Sequence, residues 1–390
     1  MKCCIFVKRV KKIDNSIHVI SNVYRIINNI DMSWKPSYLP YDNDLETKVV
    51  LKKLAGAHRA LAELKGVAQT IPKQEILINT LTLQEAKDSS EIENIVTTHD
   101  EMYKSSLGFE KYVSPAAKEV QNYIAAIKRG FSIVSKQKII STNNIIEIQE
   151  ILEKNKARLR KIPGTNLKNQ QTGAVIYEPP QSAKEIKELM ENLELFINDN
   201  ALTDLDPIVK MAIIHFQFES IHPFYDGNGR TGRILNILYL VLNDLLDIPI
   251  LYLSRSIIHN KMAYYQKLQD VRDNDNWEAW LLYMISAVEE TAYDTIRLVN
   301  EIKKEMMAMK NILRNNYKFY SQELLNHLFK QPYTKIEFLQ KDLGVSRVTA
   351  SGYLNKLSRD KVIYKFKLGK TNYYINKALM DTLSPKEKKD

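Results

Sequence analysis

The stretch Ile221 to Leu235, I-HPFYDGNGRTGR-IL, decides the reading of this chain. It joins two apolar runs, Ile208 to Phe218 and Ile234 to Leu246. In the first, apolar residues surround the helix axis instead of lining one stripe, the pattern of a buried helix. Gly227 and Gly229 flank Asn228, so the backbone there can adopt positive φ and approach a ligand closely. The chain then enters a second helix, whose first N–H groups lack internal partners and favour an anion. Arg230 and Arg233 lie three residues apart on one helical face and offer charge-assisted phosphate contacts. Asp226 is an oxygen ligand beside that anion site, suited to a Mg2+ that bridges phosphates. His222 titrates near neutrality and can take a proton from a hydroxyl. A Gly-Asn-Gly turn alone is an ordinary link between helices. The full run of residue types points instead to transfer of a phosphate-linked group to a hydroxyl.

His222-Pro223-Phe224-x-Asp226-Gly227-Asn228-Gly229-Arg230-x-x-Arg233 resembles the HPFx(D/E)GNGRxxR signature of Fic-domain proteins without departure. The resemblance covers about residues 42–300. It implies a mainly α fold: a Fic helical core with a short β-hairpin flap. It also implies a protein adenylyltransferase that moves AMP from ATP to a Ser, Thr or Tyr hydroxyl of a target protein and releases diphosphate. Carried over by position, His222 is the base and Asp226 holds Mg2+. The ATP-binding set is Gly227, Asn228, Gly229, Arg230, Thr231, Gly232 and Arg233, with Arg233 at the γ-phosphate. Phe224 anchors the loop in the core.

A second resemblance lies upstream. Ser89-Ser90-Glu91-Ile92-Glu93-Asn94 reads plainly as a polar helix end. It also matches (S/T)xxxE(G/N), the inhibitory motif of Fic proteins, at Ser89, Glu93 and Asn94. This implies competition: Glu93 pairs bidentately with Arg233 and takes the place of the γ-phosphate, while Ser89 holds the helix end by a local hydrogen bond.

Composition narrows the class. A chain of 390 residues with 44% hydrophobic content is long enough for two or three domains. No run of eighteen apolar residues exists, so no membrane span is expected. The two cysteines, Cys3 and Cys4, are adjacent, cannot build a disulfide framework and fit a reducing cytoplasm. The net charge of +10 favours an acidic partner without choosing among ATP, nucleic acid and protein. Met1 to Val10 is short, apolar and basic but lacks a small-residue cleavage site. Met32-Ser-Trp-Lys-Pro makes a natural start, so residues 1–31 are expected to be an extension with little structure.

Helical spacing places Leu45, Val49, Leu54, Leu61 and Leu64 on one face of a helix over 42–70, ended by Gly66. A second helix over 73–95 has Ile76, Leu77, Leu81 and Ala86 on its apolar side. Ser114-Pro115 starts another, and Thr142 or Asn143 caps the one through Leu152. Residues 161–180 read as a hairpin around Val175-Ile176-Tyr177 and Gly173. In Fic proteins such a flap pins the target by strand pairing. Gln170 and Gln171 stand where many relatives carry an aromatic residue, which leaves target choice open. Ser182 starts the next helix, to about Ile197. His215 reads as a satisfied core histidine, and Trp277 and Trp280 as core. The helix after Arg233 is expected through Leu246, and a further one over 256–272. Tyr265 is the candidate adenosine neighbour.

Residues 285–316 read as a long charged helix, a connector and candidate dimer surface. Residues 321–376 resemble a winged helix: helix, turn at Gly344, then a second helix capped by Ser346. A two-stranded wing follows, turning near Gly369. Arg347, Thr349, Ser351, Lys367 and Lys370 make DNA a candidate partner. The domains expected are an extension (1–41), an N-terminal helical region with the inhibitory helix (42–120), a catalytic core (121–284), a connector (285–320) and a winged helix (321–380). Three functional readings remain at this level: an AMP transferase restrained by Glu93, a DNA-binding regulator whose Fic unit senses nucleotide, and a Fic enzyme that uses another donor or removes AMP. An intact His222 favours chemistry over sensing.

Overall fold

The computed structural model describes residues 34–42, 44–106, 114–168, 173–368 and 371–384. Readings that fall on residues 1–33, on Gln170–Gln171 and on the wing tip at Gly369 and Lys370 lie outside the described residues. In chain order the elements begin with α1 (Lys48–Ala68), α2 (Gln74–Ile92), α3 (His99–Ser106), α4 (Pro115–Gln137) and α5 (Thr142–Glu153). The strands β1 (Leu167–Lys168) and β2 (Val175–Tyr177) follow, then α6 (Ala183–Asn198), α7 (Pro207–Ile221) and α8 (Asn228–Leu242). Next come α9 (Ser254–His259), α10 (Lys261–Asn274) and α11 (Trp277–Asn316). The chain closes with α12 (Gln322–Lys330), β3 (Tyr333–Lys335), α13 (Ile336–Leu343), α14 (Arg347–Arg359), β4 (Tyr364–Leu368), β5 (Thr371–Ile375) and α15 (Lys377–Leu383). The protein is mainly α, as its sequence predicts.

These residues fall into two compact units. One combines Trp34 and Lys35 with residues 165–179, of which 169–172 are not described. Within it, β1 pairs antiparallel with β2, Leu167 opposite Tyr177 and Lys168 opposite Val175, with a bulge between. The expected hairpin is therefore present. Trp34 packs on Tyr177 with ring centroids 6.0 Å apart.

The second unit holds the helices. Its centre is α7, in which every residue from Ile208 to Ile221 is buried. Asp206 caps its N-terminus and Pro207 supplies the first turn. Neighbouring α8 is buried on nearly all sides, and α4 crosses it at Gly130, where a side chain would collide with Leu238. Trp280, fully buried, donates its indole N–H to the Ala212 carbonyl at 3.0 Å and packs on His215, Phe216 and Tyr264. His215 is a core histidine as expected. Its Nε2 meets the Tyr264 hydroxyl at 2.7 Å and its Nδ1 meets the Asn236 amide at 3.1 Å. Burial, with Arg233 behind it, pushes its pKa down to about 3, so the ring is neutral.

The boundaries differ from the sequence expectations in instructive ways. Val49 is 52% exposed, and its neighbour Val50 faces the core instead. Helix α1 runs through Gly66 to Ala68, because packing along α11 outweighs glycine's low propensity. Ser141, not Thr142 or Asn143, caps α5, in a reciprocal box with Asn144. Helix α8 stops at Leu242 instead of Leu246. The expected helix over 256–272 is two helices, since Asn260 leaves the helical basin at φ −138°. One helix of 40 residues, α11, runs unbroken through position 285, where the connector was expected to start.

At the C-terminus, α12, α13 and α14 pack with an antiparallel sheet ordered β3-β5-β4, an arrangement consistent with the expected winged helix. Ser346 caps α14 and Gly344 turns at φ +65°, as predicted. Arg347, at the start of α14, is paired with Glu337 at 2.6 Å. Among the described residues no helix is long and apolar enough to cross a membrane.

Trp280→Ala empties the aromatic cluster between α7 and α11. Chemical denaturation should show a loss of roughly 3–5 kcal/mol, the usual cost of removing a buried large aromatic.

Candidate active site

His222 is the C-cap of α7 and takes a left-handed backbone, φ 49°. One buried side chain, Arg160, fixes the turn that follows. Its backbone N–H donates to the Pro223 carbonyl at 2.9 Å, and its guanidinium donates to the carbonyls of His222 (Nε, 2.7 Å), Ile221 (Nη2, 3.3 Å) and Pro180. The Tyr225 hydroxyl accepts from the N–H groups of Lys161 and Ile162 at 2.9 and 3.1 Å. Asn228 staples the loop from within: its Oδ1 accepts from the Phe224 N–H and its Nδ2 donates to the Phe224 carbonyl, both at 2.8 Å. Phe224 is fully buried against Phe218, the anchoring role the sequence suggests. Sequence reading missed Arg160, because a lone arginine six residues beyond a helix C-cap carries no local signature.

The loop delivers Gly227, at φ +76°, as the N-cap of α8. The Asp226 carboxylate is exposed beside it and accepts from the Gly227 N–H at 2.7 Å. Gly229 approaches Glu93, and Gly232 lies against Glu219 and Phe218 of α7. Thr231 is buried in the same turn. Tyr265, on α10, is 43% exposed and meets Tyr264 in an edge-to-face arrangement with ring centroids 5.1 Å apart.

Arg233 is buried to 1% and faces the C-terminal end of α2. Its Nε donates to Ser89 Oγ at 2.8 Å, and its Nη2 donates to the Ser89 carbonyl at 2.9 Å and to Glu93 Oε1 at 2.8 Å. The two residues of the upstream motif thus converge on one arginine. Two details correct the expectation. Ser89 is fully buried and serves Arg233, not its own helix end. Glu93 is held by a single guanidinium nitrogen instead of a two-pronged fork, because Ser89 occupies the Nε edge. Asn94, at φ 63°, ends the helix, and its Oδ1 accepts from Lys261 Nζ at 3.4 Å. Burial pushes the Glu93 carboxyl up, yet Arg233, with Arg230 and Lys261 behind it, brings it below the ordinary carboxylate range.

Arg230 is also committed. Its Nη1 pairs with Glu119 and its Nη2 with Glu153, both at 2.8 Å. Neither glutamate is visible as a site residue in the sequence, since both sit in ordinary amphipathic patterns on α4 and α5.

His222 is half-buried, and burial pushes its pKa down to about 4, helped by the charges of Arg160 and Arg272, while the Glu219 carbonyl and Glu93 act in the opposite sense. The imidazole is therefore neutral across the physiological range, the state a proton acceptor needs. An NMR titration of the free protein should find the His222 midpoint near 4, well below the ordinary value of about 6.5. Arg160→Met keeps the bulk but strips three carbonyls of their donor. A stability loss of roughly 2–4 kcal/mol is expected in denaturant melts, together with loss of any chemistry that needs His222 in place.

Comparison with known proteins finds Fic relatives. The description "Fic/DOC family N-terminal" matches residues 51–132, "Fic/DOC family" matches 139–240, and "Protein adenylyltransferase SoFic-like, C-terminal domain" matches 305–379. A probable protein adenylyltransferase of Aquifex aeolicus is 27% identical over 206 residues, 51% of this chain and 58% of that protein. A protein adenylyltransferase of Caenorhabditis elegans is 39% identical over 56 residues, 14% of this chain and 11% of that one. The chain thus spans less than two thirds of these curated relatives. Among solved structures, a Fic family protein from Desulfovibrio desulfuricans G20 shares the fold, with a TM-score of 0.54 and 20% identity over 87% of this chain and 97% of that one. The three family descriptions together match residues 51–132, 139–240 and 305–379, and this chain carries the Fic domain of the Fic/DOC family.

Proposed function

We propose that this protein is an adenylyltransferase that moves AMP from ATP to a hydroxyl of a protein target and is restrained by Glu93. The observation that carries the reading is the Glu93–Arg233 ion pair at 2.8 Å, at the anion-binding end of α8 and within the sequence context of an intact HPFx(D/E)GNGRxxR motif. The names of the curated relatives support the activity class.

In this reaction the target oxygen forms a bond to the α-phosphorus, the bond to the diphosphate oxygen breaks, and the hydroxyl proton passes to neutral His222. Backbone N–H groups of the first turn of α8, with Arg230 and Arg233, stabilise charge on the phosphates. The residues present fit a Mg2+ ion. Asp226 is exposed beside the cradle, and Mg2+ ordinarily takes one or two carboxylates and completes its shell with phosphate oxygens and water. When bound, Mg2+ would neutralise phosphate charge. Tyr265 borders the space expected for adenosine.

Glu93 restrains the reaction by competition. As long as its carboxylate holds Arg233, the γ-phosphate lacks its cation and the triphosphate settles in an unproductive pose. The deciding assay is AMP transfer from labelled ATP with Mg2+, read as self-modification. Glu93→Gly is expected to raise labelling by about tenfold or more, the scale of freeing one charge-assisted contact. Adding His222→Ala should abolish it. A Glu93→Gly variant that binds ATP yet stays silent would sink the transferase reading for this nucleotide.

A further inference from the structure

Glu153 is the last residue of α5, and nothing in its own helix welcomes a negative charge there. The C-terminal end of a helix repels anions, and the last turn of α5 carries no basic residue. The carboxylate is nonetheless 11% exposed, and burial, with Asp226, Glu119 and Glu93 nearby, pushes its pKa up against the pull of Arg230. Its position explains what holds it. A methyl group added at Gly227 would lie 2.2 Å from Glu153 Oε1, so the carboxylate rests against the backbone at the N-cap of α8. From there it takes Arg230 Nη2 at 2.8 Å. A helix N-terminus and an arginine are the two features that bind a phosphate. Glu153 supplies an internal anion to both.

The charge count sharpens the point. Arg230 and Arg233 pair with three carboxylates: Glu119 and Glu153 on Arg230, and Glu93 on Arg233. Two arginines thus already carry three carboxylates before any phosphate enters. Of the carboxylates on Arg230, Glu119 is 40% exposed and screened by water, so it yields Arg230 at little cost. Glu153 lies inside the cradle and must move or be outcompeted.

We propose that Glu153 is a positioning residue of the nucleotide site that holds the place of a phosphate against Gly227 and Arg230 and so sets the affinity threshold for the triphosphate. It acts on Arg230 as Glu93 acts on Arg233, from a different helix. This rests on the nucleotide-transfer reading for its purpose but not for its test, because the competition concerns a polyphosphate of any kind.

The experiment is calorimetric titration of the full chain with inorganic tripolyphosphate and Mg2+, in a Glu93→Gly background. Glu153→Gln should tighten binding about three- to tenfold. Glu153→Asp, which draws the carboxylate back by one methylene, should fall between, and Glu119→Gln should change affinity less than either. In AMP transfer, Glu153→Gln should lower KM for ATP and leave kcat within about twofold, a split that mere loss of packing does not give. Unchanged or weaker tripolyphosphate binding by a folded Glu153→Gln protein overturns the proposal and makes Glu153 a brace for Arg230. If Glu153→Gln does not fold, Glu153→Asp decides by the same criterion, and failure of both to fold also overturns it. Tightened tripolyphosphate binding with no AMP transfer in Glu93→Gly would leave Glu153 in its role and remove the transferase reading instead.

Discussion

The structure turns on a guanidinium buried away from solvent. Arg233 is buried to 1%, and a charge taken out of water is tolerated only when it is paired and hydrogen-bonded. The end of α2 meets that demand with a hydroxyl, a carbonyl and a carboxylate. Helix α2 is therefore bound to α8 by the electrostatic requirement of one residue in the motif, besides ordinary packing. The same residue is the one a γ-phosphate would call upon. In the proposed reaction, restraint and substrate binding would compete for that one buried charge.

Helix α2 is anchored along its whole length. One turn before Ser89, Glu85 accepts from the Tyr123 hydroxyl at 2.9 Å, and from the Ser254 N–H and hydroxyl at 3.0 and 2.5 Å. Burial pushes this carboxyl up to about 7, against the pull of Ser254, Tyr123 and Arg233. Along its length α2 also meets the C-terminal helices: near its N-terminus Glu75 pairs with Lys330 at 2.9 Å, and past its middle Gln84 donates to the Leu383 carbonyl at 2.8 Å. Nearby, the Tyr333 hydroxyl donates to Asp100 at 2.5 Å. The helix that Glu93 caps is in contact with Arg233 of the motif and with the C-terminal helices at once.

On the other side of the cradle, precision comes from backbone capture. Arg160 and Asn228, with the Phe218 carbonyl, together satisfy the backbone polar groups of the loop from Ile221 to Phe224. A buried loop with unpaired carbonyls would be costly. Their hydrogen bonds allow His222 to sit in a left-handed conformation, partly shielded and uncharged, without local disorder. The left-handed residue is strained for an amino acid with a side chain, and a fully bonded surrounding loop is what sustains it.

The sequence by itself determined the parts whose chemistry is local. The all-round apolar pattern of 208–218 dictates a buried helix, and Gly227 with Asn228 dictates a tight turn into the next one. The spacing of Arg230 and Arg233 puts both on the cradle side, and the Ser89–Glu93 spacing marks an end of helix that can meet an arginine. What periodicity leaves undetermined by one position, such as Val49 against Val50, only packing decided. Tertiary structure alone revealed Arg160, Glu119 and Glu153, because each acts on a partner 62 to 111 residues away and looks like an ordinary surface residue in its own segment. It also gave Ser89 to Arg233, since a buried guanidinium recruits whatever acceptors the fold brings near. Local pattern fixes which groups are available; the cost of burying charge fixes which of them meet.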